Sequence, residues 1–96
     1  MVIMQIHIID LKYLVNEDTV AAVRPLHREF LDIGYEKGIL LASGPKSDKT
    51  GGIILAKGDI EDIKKFIEND PFYTSNIAQY SFNTFDAVKH IKELTN

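Results

Sequence analysis

Hydrophobic residues along this chain follow strand-like patterns in four segments. Residues Ile3–Leu14 are rich in isoleucine and apolar on both faces, which predicts a first strand. The apolar runs Ile39–Ala42 and Ile53–Ala56 are short and bounded by helix breakers, which favours buried strands over helices. Alternation over Ile77–Phe85 predicts a fourth strand.

Helix signals separate the first strand from the second. Asn16-Glu17-Asp18-Thr19 supplies capping side chains and early negative charge for a helix that begins near Asp18 and continues toward Lys37. Gly38 then ends it. Pro25 falls inside this stretch, so either the first turns form a separate short helix or one helix is kinked there.

A second helix follows the third strand. Asp59 caps it, Asp62 adds favourable charge near its start, and its buried stripe consists of Ile60, Ile63, Phe66 and Ile67. Asn69 suits the left-handed conformation that ends many helices, and Pro71 prevents continuation.

The remaining segments are predicted connections. Ser43-Gly44-Pro45 should stop the second strand, and Lys46–Gly52 should form a long hairpin loop to the third. Residues Phe72–Ser75 predict a turn. Between Asp86 and Leu94, hydrophobic residues lie three apart, which predicts a short helix docked on the surface.

The order strand, helix, strand, strand, helix, strand is typical of the ferredoxin-like α+β fold, an antiparallel sheet with two helices on one face. Two helices cannot cover both faces of such a sheet, yet the first three strands are apolar on both. A second copy of the chain is the simplest candidate to cover the open face, so we expect a homodimer.

Composition limits the function classes. Ninety-six residues make one domain, 1–96, and the net charge of −3 with scattered Lys and Arg argues against nucleic acid as a partner. The absence of cysteine excludes disulfides and thiolate chemistry. The apolar run Met1–Ile9 is too short to span a membrane and lacks signal-peptide features, so we expect no membrane association and a cytoplasmic location.

His27 is the main candidate for chemistry, because helical spacing turns its ring toward the apolar side of the first helix. Its best partner is Asp70, since the predicted topology brings the start of the first helix, the hairpin and the end of the second helix to one edge. A carboxylate on one ring nitrogen fixes the tautomer of an imidazole that titrates near neutrality. A buried structural histidine and an ordinary Asp-Pro helix stop remain the alternatives.

Other residues could complete a binding site at this edge. Arg24 and Arg28 flank His27 and could hold an anionic or phenolic group, although surface pairs with nearby acids are the alternative. Gly51-Gly52 would let backbone amides approach a ligand, whereas Ser43 more simply belongs to a turn. Neither His7 nor His90 has metal-ligand spacing, and no phosphate-binding motif is present.

Several short motifs together resemble the YciI-like (YCII-related) family over nearly the whole chain. They are Arg24-Pro25-x-His27, Gly38 through Pro45, Gly51-Gly52 and Asn69-Asp70-Pro71-Phe72. The resemblance implies a dimeric α+β barrel in which two sheets pack face to face. It also implies a histidine–aspartate active site, at His27 and Asp70 here. We expect no cofactor and no metal.

One branch of that family removes chloride from a chlorinated hydroxyhydroquinone, which implies proton-transfer or elimination chemistry on small aromatic compounds. The residues expected to bind substrate are Arg24, Arg28, Ser43, Gly44, Pro45, Gly52 and Phe72. The tail beyond Asp86 departs from the family pattern, which often finishes in a strand. The first hypothesis is therefore a small lyase or isomerase. The alternatives are a ligand-binding module without catalysis and a structural dimerisation domain.

Overall fold

A four-stranded antiparallel sheet carries the helices on one face. The computed structural model describes residues 4–95, so the predicted start of the first strand at Ile3 lies outside the described residues. The elements are β1 Met4–Tyr13, α1 Glu17–Glu36, β2 Leu40–Pro45, β3 Gly51–Lys57, α2 Ile60–Ile67, α3 Pro71–Thr74 and β4 Ala78–Ala87, followed by a 3₁₀ turn over Lys92–Thr95. The sheet order is β2-β3-β1-β4, which confirms the predicted ferredoxin-like α+β fold.

The core lies between the sheet and the helices. Ile9 of β1 pairs with Ile54 of β3 on one side and with Phe82 of β4 on the other, and Ile9 and Ile54 are buried under the helices. Buried residues of both long helices close this core: Val20, Phe30 and Leu31 from α1, and Ile63 and Ile67 from α2. Each fully buried aliphatic side chain contributes about 1.5 to 3 kcal/mol, so this layer provides most of the driving force for folding.

Helix α1 runs from Glu17 to Glu36 without a break at Pro25, so the interpretation of two separate segments is wrong. Pro25 has no N–H for the carbonyl of Ala21, and both residues are exposed, so water can take that hydrogen bond. The predicted cap is confirmed at Asn16, whose side chain accepts from the backbone N–H of Thr19 at 2.9 Å.

The predicted end of β2 before Ser43 is wrong. Ser43, Gly44 and Pro45 continue the strand and pair with Ile54, Ile53 and Gly52 of β3. Proline is tolerated because β2 is an edge strand. The predicted long loop therefore shrinks to residues 46–50, and the two glycines after it belong to β3.

Three local predictions around the second helix and the tail need correction. Asn69 does not adopt the left-handed conformation, and Asn76 does, with φ 54°, after α3. The predicted turn at 72–75 is mostly the one-turn helix α3. Up to residue 95 the tail forms no α-helix. Strand β4 extends to Ala87, and Lys57 Nζ donates to the carbonyl of Leu94 at 2.8 Å, which holds the later 3₁₀ turn.

The face of the sheet away from the helices is apolar at its centre. Ile8 pairs with Leu55, and Asp10 pairs with Ile53, so these side chains share that face and are only partly buried. Phe85 of β4 lies on the same face and is 49% exposed. We call Ile8, Ile53 and Leu55 the central strip, and among residues 4–95 the helices leave it uncovered. No helix in the same range is long and apolar enough to cross a membrane.

Gly51→Ala should destabilise the protein strongly, because a Cβ at this position would lie 1.7 Å from the carbonyl oxygen of Leu11 on the neighbouring strand. We expect a loss of about 3 kcal/mol or more in the free energy of unfolding, measured by chemical denaturation. Gly44→Ala is the matched control, since a Cβ there meets nothing within 4 Å, and it should stay within about 1 kcal/mol of the original. Similar losses in both variants would contradict the close approach of β3 to β1.

Candidate active site

His27 and Asp70 meet at one edge of the molecule although 43 positions separate them in sequence. The Nδ1 atom of His27 lies 2.7 Å from Oδ1 of Asp70. The carboxylate has no exposed surface, and the histidine is 9% exposed. His27 comes from the middle of α1, and Asp70 immediately precedes α3, so the contact depends on the packing of those two helices.

Asp70 is the N-cap of α3, with Pro71 at the first helical position. Its Oδ1 also accepts from the backbone N–H of Phe72 at 2.9 Å. Oδ2 accepts from the hydroxyl of Tyr80 on β4 at 2.5 Å. The capping role suggested by the Asp-Pro sequence is therefore present, and the same carboxylate serves His27 as well.

The hydrogen bonds around Asp70 determine the tautomer of His27. An ionised carboxylate has no proton to donate, so Nδ1 of His27 must carry the hydrogen of that bond. In the neutral ring, Nε2 is then an unprotonated acceptor, and it has no hydrogen-bond partner among residues 4–95. Phe72 stacks on the imidazole with ring centroids 3.9 Å apart and planes 5° apart, which holds the ring in place.

Tyr80 is a permanent donor to Asp70. Burial raises the pKa of the Tyr80 phenol above its usual range, and the negative charge and hydrogen bond of Asp70 raise it further. The hydroxyl therefore stays protonated at neutral pH and through the range in which an exposed tyrosine would titrate. Consequently, Oδ2 always has a hydrogen-bond donor.

A cavity of about 820 Å³ opens beside His27. Its apolar wall includes Leu11, Leu31, Ile54 and Phe72. The basic residues on the lining are Arg24, Arg28 and Lys49, and the acidic one is Glu17. Such a cavity suits a small apolar body with a negatively charged group.

All seven residues predicted to bind substrate line this cavity: Arg24, Arg28, Ser43, Gly44, Pro45, Gly52 and Phe72. Two of them already have partners. Arg24 pairs with Glu17 at 3.1 Å, and this hydrogen bond raises the pKa of the guanidinium. The Ser43 hydroxyl bonds to the hydroxyl of Tyr35 at 2.7 Å.

Arg28 and Lys49 are the cations on the cavity that pair with no acid among residues 4–95. Lys49 lies in the short turn between β2 and β3 and has φ 66°, an uncommon conformation for lysine. These two positive charges are therefore the ones available to a ligand. The alternative interpretation of Arg28, a surface pair with a neighbouring acid, is wrong for the described residues.

Sequence reasoning missed the apolar wall of the cavity apart from Phe72, and four residues with polar groups at the site: Tyr13, Glu17, Lys49 and Tyr80. Tyr80 carried a usable signal, because strand alternation places it on the same face as Ala78 and Phe82, and a hydroxyl on a core face needs a polar partner. Tyr13 packs edge-on against Phe72, with centroids 6.1 Å apart, as β1 ends. Lys49 carried no such signal, since a lysine in a polar loop is ordinarily solvated.

The other histidines have structural contacts. His7 is fully buried on β1, with Nδ1 2.8 Å from the Thr84 hydroxyl and Nε2 2.7 Å from the carbonyl of Gly58. His90 is exposed and bonds to the carbonyl of Ile91. Across the described part of the chain, no three His, Asp or Glu side chains are grouped to hold a metal ion.

Comparison with known proteins identifies the family. The model of the YCII-related domain matches residues 2–86. The chain belongs to the YCII-related domain family. No curated protein matches it.

Among solved structures, this YCII-related protein is similar to 5-chloro-2-hydroxyhydroquinone dehydrochlorinase from Burkholderia phenoliruptrix AC1100 in complex with 2,5-dihydroxybenzoquinone. The TM-score is 0.69 at 19% sequence identity, and the match covers 92% of this chain and 97% of that chain. At this identity, the likeness establishes a shared fold.

Asp70→Ala should cost far more stability than removal of an ordinary helix cap. It leaves the N–H groups of His27 and Phe72 and the hydroxyl of Tyr80 without their acceptor inside the protein. We expect a loss of about 3 to 5 kcal/mol in the free energy of unfolding.

Asp59→Ala is the matched control for that experiment. Asp59 caps α2 in the same way but is exposed, so its loss should cost about 1 kcal/mol. Chemical denaturation of the two variants measures the difference. Equal losses would show that Asp70 acts as a cap alone.

Proposed function

We propose that this YCII-related protein is a small cofactor-independent enzyme of the lyase or isomerase type. Its substrate is a small compound with an aromatic or other flat apolar body and an anionic group. His27 is the general base and Asp70 orients it. The observation that carries the proposal is the 2.7 Å bond between His27 Nδ1 and Asp70, which leaves Nε2 as the acceptor beside a cavity of about 820 Å³.

The chemistry follows from the tautomer. Nε2 of His27 takes a proton from a C–H or O–H group of the substrate, and the positive charge that forms on the ring is stabilised by Asp70. In an elimination, the electrons of the broken C–H bond form a double bond, and the leaving group departs with its own electron pair. In an isomerisation, the same proton returns to another atom of the substrate. Neither route needs an oxidant or a metal.

The two unpaired cations of the cavity orient the substrate. Arg28 and Lys49 attract the anionic group, while Leu31 and Phe72 contact the apolar body. The similar dehydrochlorinase was solved with 2,5-dihydroxybenzoquinone, a flat ring with acidic hydroxyls, which supports this class of ligand.

The proposed functional unit is a homodimer that packs two open sheet faces together. The central strip formed by Ile8, Ile53 and Leu55 is apolar, and Phe85 adds to it while nearly half exposed. Covering these residues with the same surface of a second chain removes apolar area from water on both copies. Leu11 and Ile54 line the cavity beside His27 from the helix side of the sheet, and Ile53 lies at the border between the cavity and the open face, so the second chain would pack next to the cavity.

His27→Gln should abolish most of the turnover while the protein stays folded. A panel of small phenolic, lactone and halogenated acids is first screened by thermal shift, and each compound that binds is then incubated and its products identified by mass spectrometry. For a compound that is converted, we expect the rate to fall about 10²- to 10⁴-fold in the variant, the usual contribution of general base catalysis.

His90→Gln is the matched control, because this exposed histidine bonds only to a backbone carbonyl and should keep the full rate. An undiminished rate in His27→Gln would refute the catalytic role. Compounds that raise the melting temperature yet emerge unchanged would instead identify a ligand-binding module without catalysis.

Leu55→Glu should dissociate the dimer, because a carboxylate would be buried at the centre of the packed sheets. Sedimentation velocity should give the mass of two chains for the original protein and of one chain for the variant. Leu26→Glu is the control: Leu26 is 56% exposed on α1, away from the open face, and the change should leave the mass unaltered. A single-chain mass for the unaltered protein would overturn the dimer.

A further inference from the structure

The carboxylate of Asp70 has three protein donors, and each comes from a different element. His27 Nδ1 on α1 and the backbone N–H of Phe72 in α3 share Oδ1, while Tyr80 on β4 is the partner of Oδ2. Because Asp70 has no exposed surface, water cannot substitute for any of them. The direction of the carboxylate, and with it the bond to His27, therefore depends on Tyr80.

Tyr80 is itself firmly positioned. It pairs with Leu11 in the register between β4 and β1, at a point where the ladder continues on both sides. Its ring packs edge-on against Tyr73, with centroids 5.5 Å apart. The hydroxyl thus reaches Asp70 from the rigid sheet, whereas His27 and Phe72 reach it from the helices.

We propose that Tyr80 is a positioning residue that acts through Asp70: its hydroxyl anchors Oδ2, so that Oδ1 holds His27 as the Nδ1–H tautomer with Nε2 free to accept a proton. The catalytic importance of this arrangement rests on the proposed function. The positioning itself is a property of the folded protein without substrate.

Loss of the Tyr80 hydroxyl has a defined consequence. Oδ2 would remain buried without a donor, which is costly for a charged oxygen. Asp70 would relieve this by turning its carboxylate or by taking up a proton. Either response weakens the acceptor for the N–H of His27, so the second tautomer, with the proton on Nε2, becomes populated.

The test is the tautomer ratio of His27, measured by ¹⁵N NMR of protein labelled in its histidine rings, at a pH where the imidazole is neutral. In the unaltered protein we expect a large excess of the Nδ1–H form over the Nε2–H form, with a slowly exchanging ring proton. In Tyr80→Phe the ratio of Nδ1–H to Nε2–H should fall about tenfold, the effect of losing one hydrogen bond to a charged group. An unchanged ratio in a folded variant would overturn the proposal.

Tyr73→Phe is the matched control, because the Tyr73 ring contacts Tyr80 but its hydroxyl makes no bond to Asp70. It should leave the ratio unchanged, and a fall as large as that in Tyr80→Phe would assign the effect to ring packing and refute the proposal. Should Tyr80→Phe fail to fold, the unaltered protein decides: a slowly exchanging Tyr80 hydroxyl proton is required, and its absence is a refutation.

This measurement needs no substrate, so it separates the two proposals. The positioning proposal is refuted if Tyr80→Phe leaves the tautomer ratio of His27 unchanged, regardless of the rate at which substrate is converted. The proposed function is refuted if His27→Gln converts substrate at the original rate, regardless of the tautomer ratio in the other variants. A purely structural role for Tyr80 would change the free energy of unfolding without changing the ratio in folded molecules.

Discussion

Asp70 is a carboxylate with no exposed surface, placed where two helices and the sheet meet. Removing such a charge from water costs several kcal/mol unless hydrogen bonds replace the lost hydration. Here a backbone amide, an imidazole and a phenol do so. Because these donors come from α3, α1 and β4, this single group connects all three elements, and the orientation of the candidate base follows from it.

The same arrangement explains why the site lies at this edge of the sheet. Strands β1 and β2 both end here, so the start of α1 and the short turn between β2 and β3 lie close together. The turn contributes Lys49, and α1 contributes Arg28 and His27. A buried histidine–aspartate pair alone would be compatible with a structural role. A free Nε2, an adjoining cavity and unpaired cations together favour chemistry on an anionic ligand.

Local sequence patterns predict the buried strands and helix faces correctly. They predict turns and breaks less well. The runs of β1 and β3 are predicted because both faces of these strands are apolar, and the stripe of α2 is predicted because burial on one face of a helix imposes a period. Ser43-Gly44-Pro45 has turn chemistry but lies in a strand, because an edge position does not require the proline N–H. Pro25 similarly lies inside α1, on an exposed surface where water can take the missing bond.

The site also consists of residues that the sequence predicts and of contacts that only the folded chain shows. Helical spacing alone placed His27 on the apolar side of α1, and the Asp-Pro sequence marked Asp70 as a cap, since both depend on neighbours within a few residues. The family motifs added the residues around the cavity. Only the tertiary structure decided that Tyr80 meets Asp70, that Arg24 is neutralised by Glu17 whereas Arg28 is not, and that Lys49 turns toward the cavity. These contacts depend on the relative positions of packed elements, which period and propensity do not specify.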